Sequence, residues 1–369
     1  MPTAPSIPFN DLGRGVAELR HELDAALGRV LDSGWFVLGS EGRAFEEEFA
    51  AAAGATHAVG VGSGTDAIEL ALRALGLGPG DEVVTQANTC VPTVSAIERA
   101  GATPVLCDVE AEAGTMDPDS LKGALGPKTR AVVPVHLYGQ CADTEAIVDL
   151  CSGHGIAVVE DCAQAVGADL RGRPAGTIGT LGCFSFYPTK NLAALGDGGA
   201  VITNDADLDE RLRLVRQYGQ TDRYRHVTEG VNSRLDEVQA GILRTRLPHV
   251  PRWNARRTEI ADAYAEALAG SPVRALARLA DRRHVFHLFV VEAPDRDALR
   301  AHLGDAGIGT LIHYPTPVHG HPPYRRLADG PVPLSVSERL CDRILSLPIY
   351  PELSDEEVAH VAEALRSFA

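Results

Sequence analysis

No uninterrupted apolar run in this chain approaches the roughly 20 residues that a membrane-spanning helix needs, and no repeat or low-complexity tract interrupts it. Positive charge is also in short supply. Against 34 Lys and Arg stand 50 Asp and Glu, a formal net charge of −16, which argues against a broad surface for nucleic acid. A small anion is still admissible, because a helix N-terminus and a few arginines can hold one against a negative background. CxxC spacing is absent among the seven cysteines (90, 107, 141, 151, 162, 183, 341), most of which lie in apolar strand or helix contexts. Reduced, buried thiols in a cytoplasmic protein are therefore expected. Met1–Pro8 carries neither a basic n-region nor a long apolar core, so a signal peptide is not expected. Metal-ligand spacing is missing too. His313, His319 and His321 fall in a Pro/Gly-rich loop without a cysteine or carboxylate at ligand spacing. His284 and His287, three apart in a strand-like run, are predicted to point to opposite faces.

What is present is an ordinary globular composition, 45% hydrophobic and 23% charged over 369 residues, enough for two domains. Val16, Leu19, Leu23, Leu27 and Val30 predict a helix over Val16–Leu31 closed by Gly34. SGWFVLGSEG follows, with two aromatics between glycines. From Ala58 the chain alternates strand and helix. Strands are predicted at Ala58–Gly62, Glu82–Gln86, Thr103–Val109, Arg130–Leu137, Ile156–Glu160, Cys183–Tyr187 and Gly199–Thr203. Helices are predicted at Thr65–Leu75, Val91–Arg99, Pro118–Leu125 and Asp143–Gly153. The alternation predicts an α/β fold with a mostly parallel sheet covered on both faces. Leu235–Leu247 and Pro251–Leu268 read as helices leading out of a large domain (1–248) into a smaller α+β domain (249–369). There His284–Val291, Asp295–Ala306 and Gly309–Tyr314 predict a strand–helix–strand unit. Ser354 and Glu357 form a capping box for the closing helix.

The chain is organised around Ile156–Asn204, IAVVEDCAQAVGADLRGRPAGTIGTLGCFSFYPTKNLAALGDGGAVITN. Its first strand delivers Asp161; a second, aromatic strand delivers Ser185 and, past Pro188, Lys190. An acid and a lysine just beyond strand ends sit where such sheets place their chemistry. The lysine can form a Schiff base with a carbonyl cofactor, and the aspartate can hold a pyridinium nitrogen protonated, the protein's share of pyridoxal-phosphate (PLP) chemistry. A solvated lysine and a helix-capping aspartate are the bland readings of the same residues. Upstream, Gly62-Ser63-Gly64-Thr65 joins a strand to a helix, a turn whose amides can face a phosphate.

EDCAQAVGA followed by FSFYPTKNLAALGDGGA resembles the DegT/DnrJ-type sugar aminotransferases, a branch of the fold-type-I PLP enzymes. The likeness runs from SGTDAIELALRALG near Gly64 to IHYPTP near His313. It implies that Lys190 carries the cofactor and moves the proton, that Asp161 pairs with the ring nitrogen, and that Gln164 contacts the ring and its 3′ oxygen. Ser63, Gly64, Thr65 and Ser185 are implied to hold the phosphate. Asn232, in GVNSRLDE, is implied to reach the phosphate of a neighbouring subunit, making a homodimer with shared sites. Arg234 becomes a candidate for a donor carboxylate, while Tyr187, His313 and Tyr314 are placed at the substrate edge. For Asn232 and Arg234, helix entry is the competing reading. Cys90 departs from the pattern, standing where many members stack an aromatic on the ring; its polarisable sulfur can pack there but is no aromatic platform. The implied reaction is amination of a nucleotide-linked keto-deoxysugar with glutamate as donor. Lysine at 190 speaks against the dehydratase variant that carries histidine there. A keto-cyclitol substrate, a PLP lyase and a non-enzymatic regulator that keeps the fold are the alternatives; loss of Lys190 or Asp161 would mark the last, and both are present.

Overall fold

A computed structural model describes residues 6–368. Its centre is a seven-stranded sheet of β1 (His57–Val61), β2 (Glu82–Gln86), β3 (Thr103–Cys107), β4 (Thr129–Val133), β5 (Ala157–Asp161), β6 (Leu181–Ser185) and β7 (Gly199–Thr203). The spatial order is β1-β7-β6-β5-β4-β2-β3. Pairing is parallel from β3 through β6, and β7 runs antiparallel to both β6 and β1. Every residue of β7 is buried, as a strand covered on both faces requires. On one face the helix Gly64–Ala74 lays Ile68, Leu70 and Leu72 into a cluster with Val59, Val83, Val159 and Val201. On the other, Phe184 and Phe186 meet Phe45 and Phe49 edge to face at 5.1–5.4 Å. Truncating one such phenylalanine costs about 3–5 kcal/mol. Because strand side chains alternate, fixing Phe184 and Phe186 on that face sends Ser185 to the other.

Most expected elements are present within a residue or two. Arg130–Leu137 is an overextension: β4 stops at Val133, where Pro134 withdraws a donor, and Leu137–Gly139 is a 3₁₀ turn. The single helix expected over Val16–Leu31 is two, Leu12–Glu18 and Arg20–Ser33, broken at Leu19, with Gly34 capping the second at φ 64°.

Helices Glu237–Arg246 and Val250–Ala267 lead into an antiparallel sheet of β8 (Arg274–Ala275), β9 (Phe289–Glu292) and β10 (Ile344–Leu347), ordered β8-β9-β10. Helix Arg296–Asp305 packs alongside, and Asp355–Ser367 begins with the expected Ser354/Glu357 capping box. Two expectations fail here. The strand expected from His284 begins only at Phe289, because Phe286 adopts φ 46° and stacks on His284 at 4.0 Å. Gly309–Tyr314 makes one isolated bridge, Leu311 to Ser346, and no strand. Ile7 bonds Gly307 and Gly309 and joins the C-terminal core of Tyr264, Phe289, Leu345 and Val361. Among the described residues, no helix is long and apolar enough to cross a membrane.

Candidate active site

The C-terminal ends of β5 and β6 bring the site together. Asp161, the last residue of β5, is 4% exposed. One carboxylate oxygen accepts from the Thr93 hydroxyl at 2.9 Å and the other from the Ala163 N–H at 3.1 Å. Since Thr93 donates to the acid, Thr89, whose hydroxyl lies 2.8 Å away, donates to Thr93. Burial pushes the Asp161 carboxyl up, against those two bonds and the nearby charge of Lys190. No helix follows Asp161, so it is not a helix cap. Lys190 stands in the turn after Pro188, its amide donating to Tyr187 O at 2.8 Å. Burial pulls its ammonium down, opposed by Asp161 and Cys90. Each charge is thus disfavoured by its surroundings and favoured by the other.

Beside this pair sits an anion cup. A Cβ on Gly64 would lie 2.6 Å from Ser185 Cβ, and one on Gly199 would lie 2.4 Å from Ser63 O. Only glycine lets the turn, β6 and β7 close this tightly. Ser63 caps the helix by accepting from the Asp66 N–H at 3.1 Å. The first-turn amides, including Thr65, therefore face the region of Ser185 at a helix N-terminus, an arrangement that suits phosphate.

Gln164 is buried, accepting from the Tyr138 N–H at 2.6 Å and donating to the Tyr314 hydroxyl at 3.2 Å. Tyr314 also bonds Cys90, whose thiol burial pushes up despite that bond and Lys190. Tyr138 donates its hydroxyl to His313 O at 2.7 Å, and the His313 ring meets Ser346 Oγ at 2.9 Å. Burial and Lys190 hold His313 down at about 4. The expected residues Lys190, Asp161, Cys90, Gln164, His313 and Tyr314 are thus one neighbourhood, and Ser63, Gly64, Thr65 and Ser185 another that adjoins it.

Three expected residues lie towards solvent. Tyr187 is 52% exposed, Arg234 is half-buried and Asn232 is exposed. It is Ser233, not Asn232, that meets its own chain's Gly62 turn, accepting from Gly62 N–H at 2.9 Å and donating to Asp66 at 2.8 Å. Sequence reasoning missed Thr89, Thr93 and Tyr138, which reach the site only through tertiary packing.

Glu160, beside Asp161, faces the other way. It accepts from the Gly176, Ile178 and Gly179 amides at 2.7–3.0 Å and from His136 Nε2 at 2.8 Å. His136 Nδ1 accepts from the Ala142 N–H, so the proton sits on Nε2. Burial opposes the charge of Glu160, but His136 and the amides hold its carboxyl down. His136, Glu160 and Cys162 cluster closely enough to suggest a metal. Both ring nitrogens and both carboxylate oxygens are already hydrogen-bonded, however, and this is a structural network.

Residues 17–366 match the DegT/DnrJ/EryC1/StrS aminotransferase family. Over 366 residues the chain is 49% identical to the dTDP-3-amino-3,4,6-trideoxy-alpha-D-glucose transaminase of Streptomyces venezuelae, covering 99% of this chain and 97% of the relative. It is 45% identical over 361 residues to the UDP-N-acetyl-3-dehydro-alpha-D-glucosamine 3-aminotransferase of Acidithiobacillus ferrooxidans, covering 98% and 97%. Among solved structures, S. venezuelae DesV in complex with a ketimine intermediate matches with a TM-score of 0.95 at 47% identity, covering 100% of this chain and 99% of that one. With a buried acid near a half-buried lysine, a tight glycine turn closed on Ser185 beside them, and this likeness along nearly its whole length, the chain belongs to the DegT/DnrJ/EryC1/StrS family of PLP-dependent aminotransferases.

Proposed function

We propose that this enzyme places an amino group on the C3 keto carbon of a nucleotide-linked deoxysugar, with glutamate as donor. The observation that carries the reading is the buried Asp161 with the half-buried Lys190 near enough for each to favour the other's charge, adjoining the Ser63–Thr65 and Ser185 cup. C3 rests on the two named relatives, both of which act at position 3 of a nucleotide-linked hexose.

The residues fit pyridoxal phosphate. A buried carboxylate that burial disfavours suits a cationic ring nitrogen, and the cup suits the phosphate. When bound, the cofactor supplies an electron sink for the pair left on the substrate carbon as its proton departs. Lys190 holds the cofactor covalently at rest. Once freed by the donor amine, its neutral Nζ would be the base that takes the proton from the donor α-carbon and the acid that returns it. The same amine runs the transfer backwards on the keto sugar. Asp161 would keep the ring nitrogen protonated, and Thr93 and Ala163 orient Asp161 and favour its charge. Gln164 is held by Tyr138 and Tyr314 at the ring's edge, with Cys90 packing beside it. Tyr187, His313, Tyr314 and Arg234 border the substrate.

Asn232 belongs to the partner's cup in this reading, so two chains complete each site. Its exposure, with Ser233 rather than Asn232 serving the home turn, supports that assignment. Residues 1–248 are the cofactor-binding domain and 249–369 the smaller one.

Holoenzyme incubated with glutamate and a panel of nucleotide-linked 3-keto and 4-keto hexoses tests the proposal by product mass. Amination of a 3-keto sugar is expected. Turnover confined to 4-keto sugars overturns the position, and no turnover with any keto sugar overturns the substrate class.

A further inference from the structure

Against the Lys190 turn lies a cavity whose remaining walls take no part in the proposed reaction. Pro188–Asn191 form one wall, and Arg246, Trp253, Arg257 and Tyr350, with the carboxylates of Asp11 and Glu352, are among the residues that line the rest. Four of these are almost wholly buried: Arg246 and Trp253 at 7% exposure, Arg257 at 5% and Tyr350 at 1%. Among the described residues, eight buried side-chain polar atoms lack a hydrogen-bond partner, and four belong here: Arg246 Nε, Trp253 Nε1, Arg257 Nε and the Tyr350 hydroxyl. All four can donate. Orphan donors gathered in one cavity call for an acceptor.

The charges make the same demand. Of the four buried arginines, Arg216 pairs with Glu46 and Arg282 with Asp281. Arg246 and Arg257 have no carboxylate within 4.0 Å among the described residues. Their Nη1 atoms rest on neutral carbonyls instead, Ala193 at 2.8 Å for Arg246 and Ile349 at 2.6 Å for Arg257. Burial pulls both guanidiniums down, Arg257 to about 10, with Glu352 opposing only from a distance. Glu352 is itself packed against Gly15. A buried guanidinium without a close counter-ion is costly, and water in the cavity would satisfy the donors while leaving two guanidiniums with only the more distant charge of Glu352.

We propose that this cavity is a binding site for a small oxyanion, a carboxylate or a phosphate, held by Arg246, Arg257, Trp253 and Tyr350. The bound anion links the Lys190 turn to the helix Val250–Ala267 and to the Tyr350 segment, which places an effector directly behind the reactive lysine.

Trp253 supplies the readout, independent of catalysis. The chain has two tryptophans, so Trp35→Phe leaves Trp253 as the sole emitter. Holoenzyme of that variant, its cofactor phosphate already filling the Ser185 cup, is titrated in separate arms with inorganic phosphate and with glutarate, which has no amine to transfer. Chloride at matched ionic strength is the control. A saturable change in Trp253 emission with phosphate, glutarate or both is expected, and the responsive arm names the source. Arg257→Met should weaken the apparent affinity at least tenfold and Tyr350→Phe about threefold. Linear or absent responses in both arms overturn the proposal, as does saturation that neither variant weakens. Tyr350→Phe removes one oxygen and carries the test alone where Arg257→Met fails to fold.

Discussion

Replacing Thr93 by valine removes a single hydroxyl from the support of Asp161 while keeping nearly all its volume. The side chain is 2% exposed, its oxygen is 2.9 Å from the carboxylate, and Thr89 feeds it in turn at 2.8 Å. A hydrogen bond to a charged group is worth about 1.5–3 kcal/mol, and each 1.36 kcal/mol is about tenfold in rate. If the bond serves the ionised acid throughout the reaction, Thr93→Val should slow amine transfer about 10- to 150-fold. Asp161→Asn removes the carboxylate that would hold the ring nitrogen protonated, and should slow it about 10²- to 10⁴-fold, equivalent to about 3–5 kcal/mol. The assay is a single-turnover half-reaction with glutamate, followed through the cofactor's visible absorbance. A second readout separates function from packing. Thr93 holds the Asp161 carboxyl down against burial, so its loss should move the acidic limb of kcat/KM to higher pH, and Thr93→Ser should restore both. A Thr93→Val enzyme within twofold of the parent, with an unmoved limb, would make Thr93 a mere packing residue. An Asp161→Asn enzyme within tenfold would remove the carboxylate from the chemistry altogether.

Borohydride reduction of the holoenzyme should fix the pyridoxyl group on Lys190, which peptide mapping resolves cleanly because Lys122 and Lys128 are the only other lysines; a label on either refutes the assignment. Gly64→Ala forces a Cβ to within 2.6 Å of Ser185 and should weaken cofactor affinity at least tenfold by equilibrium dialysis, with far-UV circular dichroism unchanged. His313 titrates near 6.5 when unfolded and about 4 when folded, so its contribution to stability is complete above about pH 6.5 and is lost as pH falls towards 4. The slope is up to about 1.4 kcal/mol per pH unit, and His313→Gln should flatten urea midpoints of the apo-protein across that window. Co-expressed Lys190→Ala and Asn232→Ala chains, each inactive alone, should regain activity in hybrid dimers that carry one intact site; confirmed hybrids without activity would return Asn232 to its own chain's site.

Local signals made the large sheet legible. β2 and β7 occupy the residues that their β-branched pattern predicts, because a strand buried on both faces needs little beyond apolar content and a bounding turn. The C-terminal part was harder to read for an equally physical reason. HVFHLFVV is apolar enough for a long strand, yet Phe286 turns over to stack on His284, and pairing starts only at Phe289. Gly309–Tyr314 alternates suitably but finds one partner, Ser346. β10 went unseen because helix Ser335–Arg343 runs straight into Ile344 without a turn residue to mark the boundary. Within the site the same division holds. Asp161, Ser185 and Lys190 are written at strand ends, whereas Thr93 and Tyr138 come from segments that only folding brings alongside.

Glu160 and Asp161 show how far the division goes. They are consecutive acids at the end of one strand, both buried, and nothing in the letters E and D says which one reacts. Strand alternation sends them to opposite faces, and the faces differ in what they provide. Glu160 meets four donors, three of them backbone amides from Gly176–Gly179, and its carboxyl is held down in spite of burial. Its charge is spent on fixing the connection between β5 and β6. Asp161 meets two donors, Thr93 and Ala163, and burial still wins. A carboxylate left short of donors in a buried site is stabilised by a cation placed against it. Lys190 supplies part of that charge, and in the proposed function a protonated ring nitrogen would supply the rest. The number of donors each acid receives, which depends on residues from 2 to 68 positions away, therefore sorts the structural carboxylate from the one proposed to act.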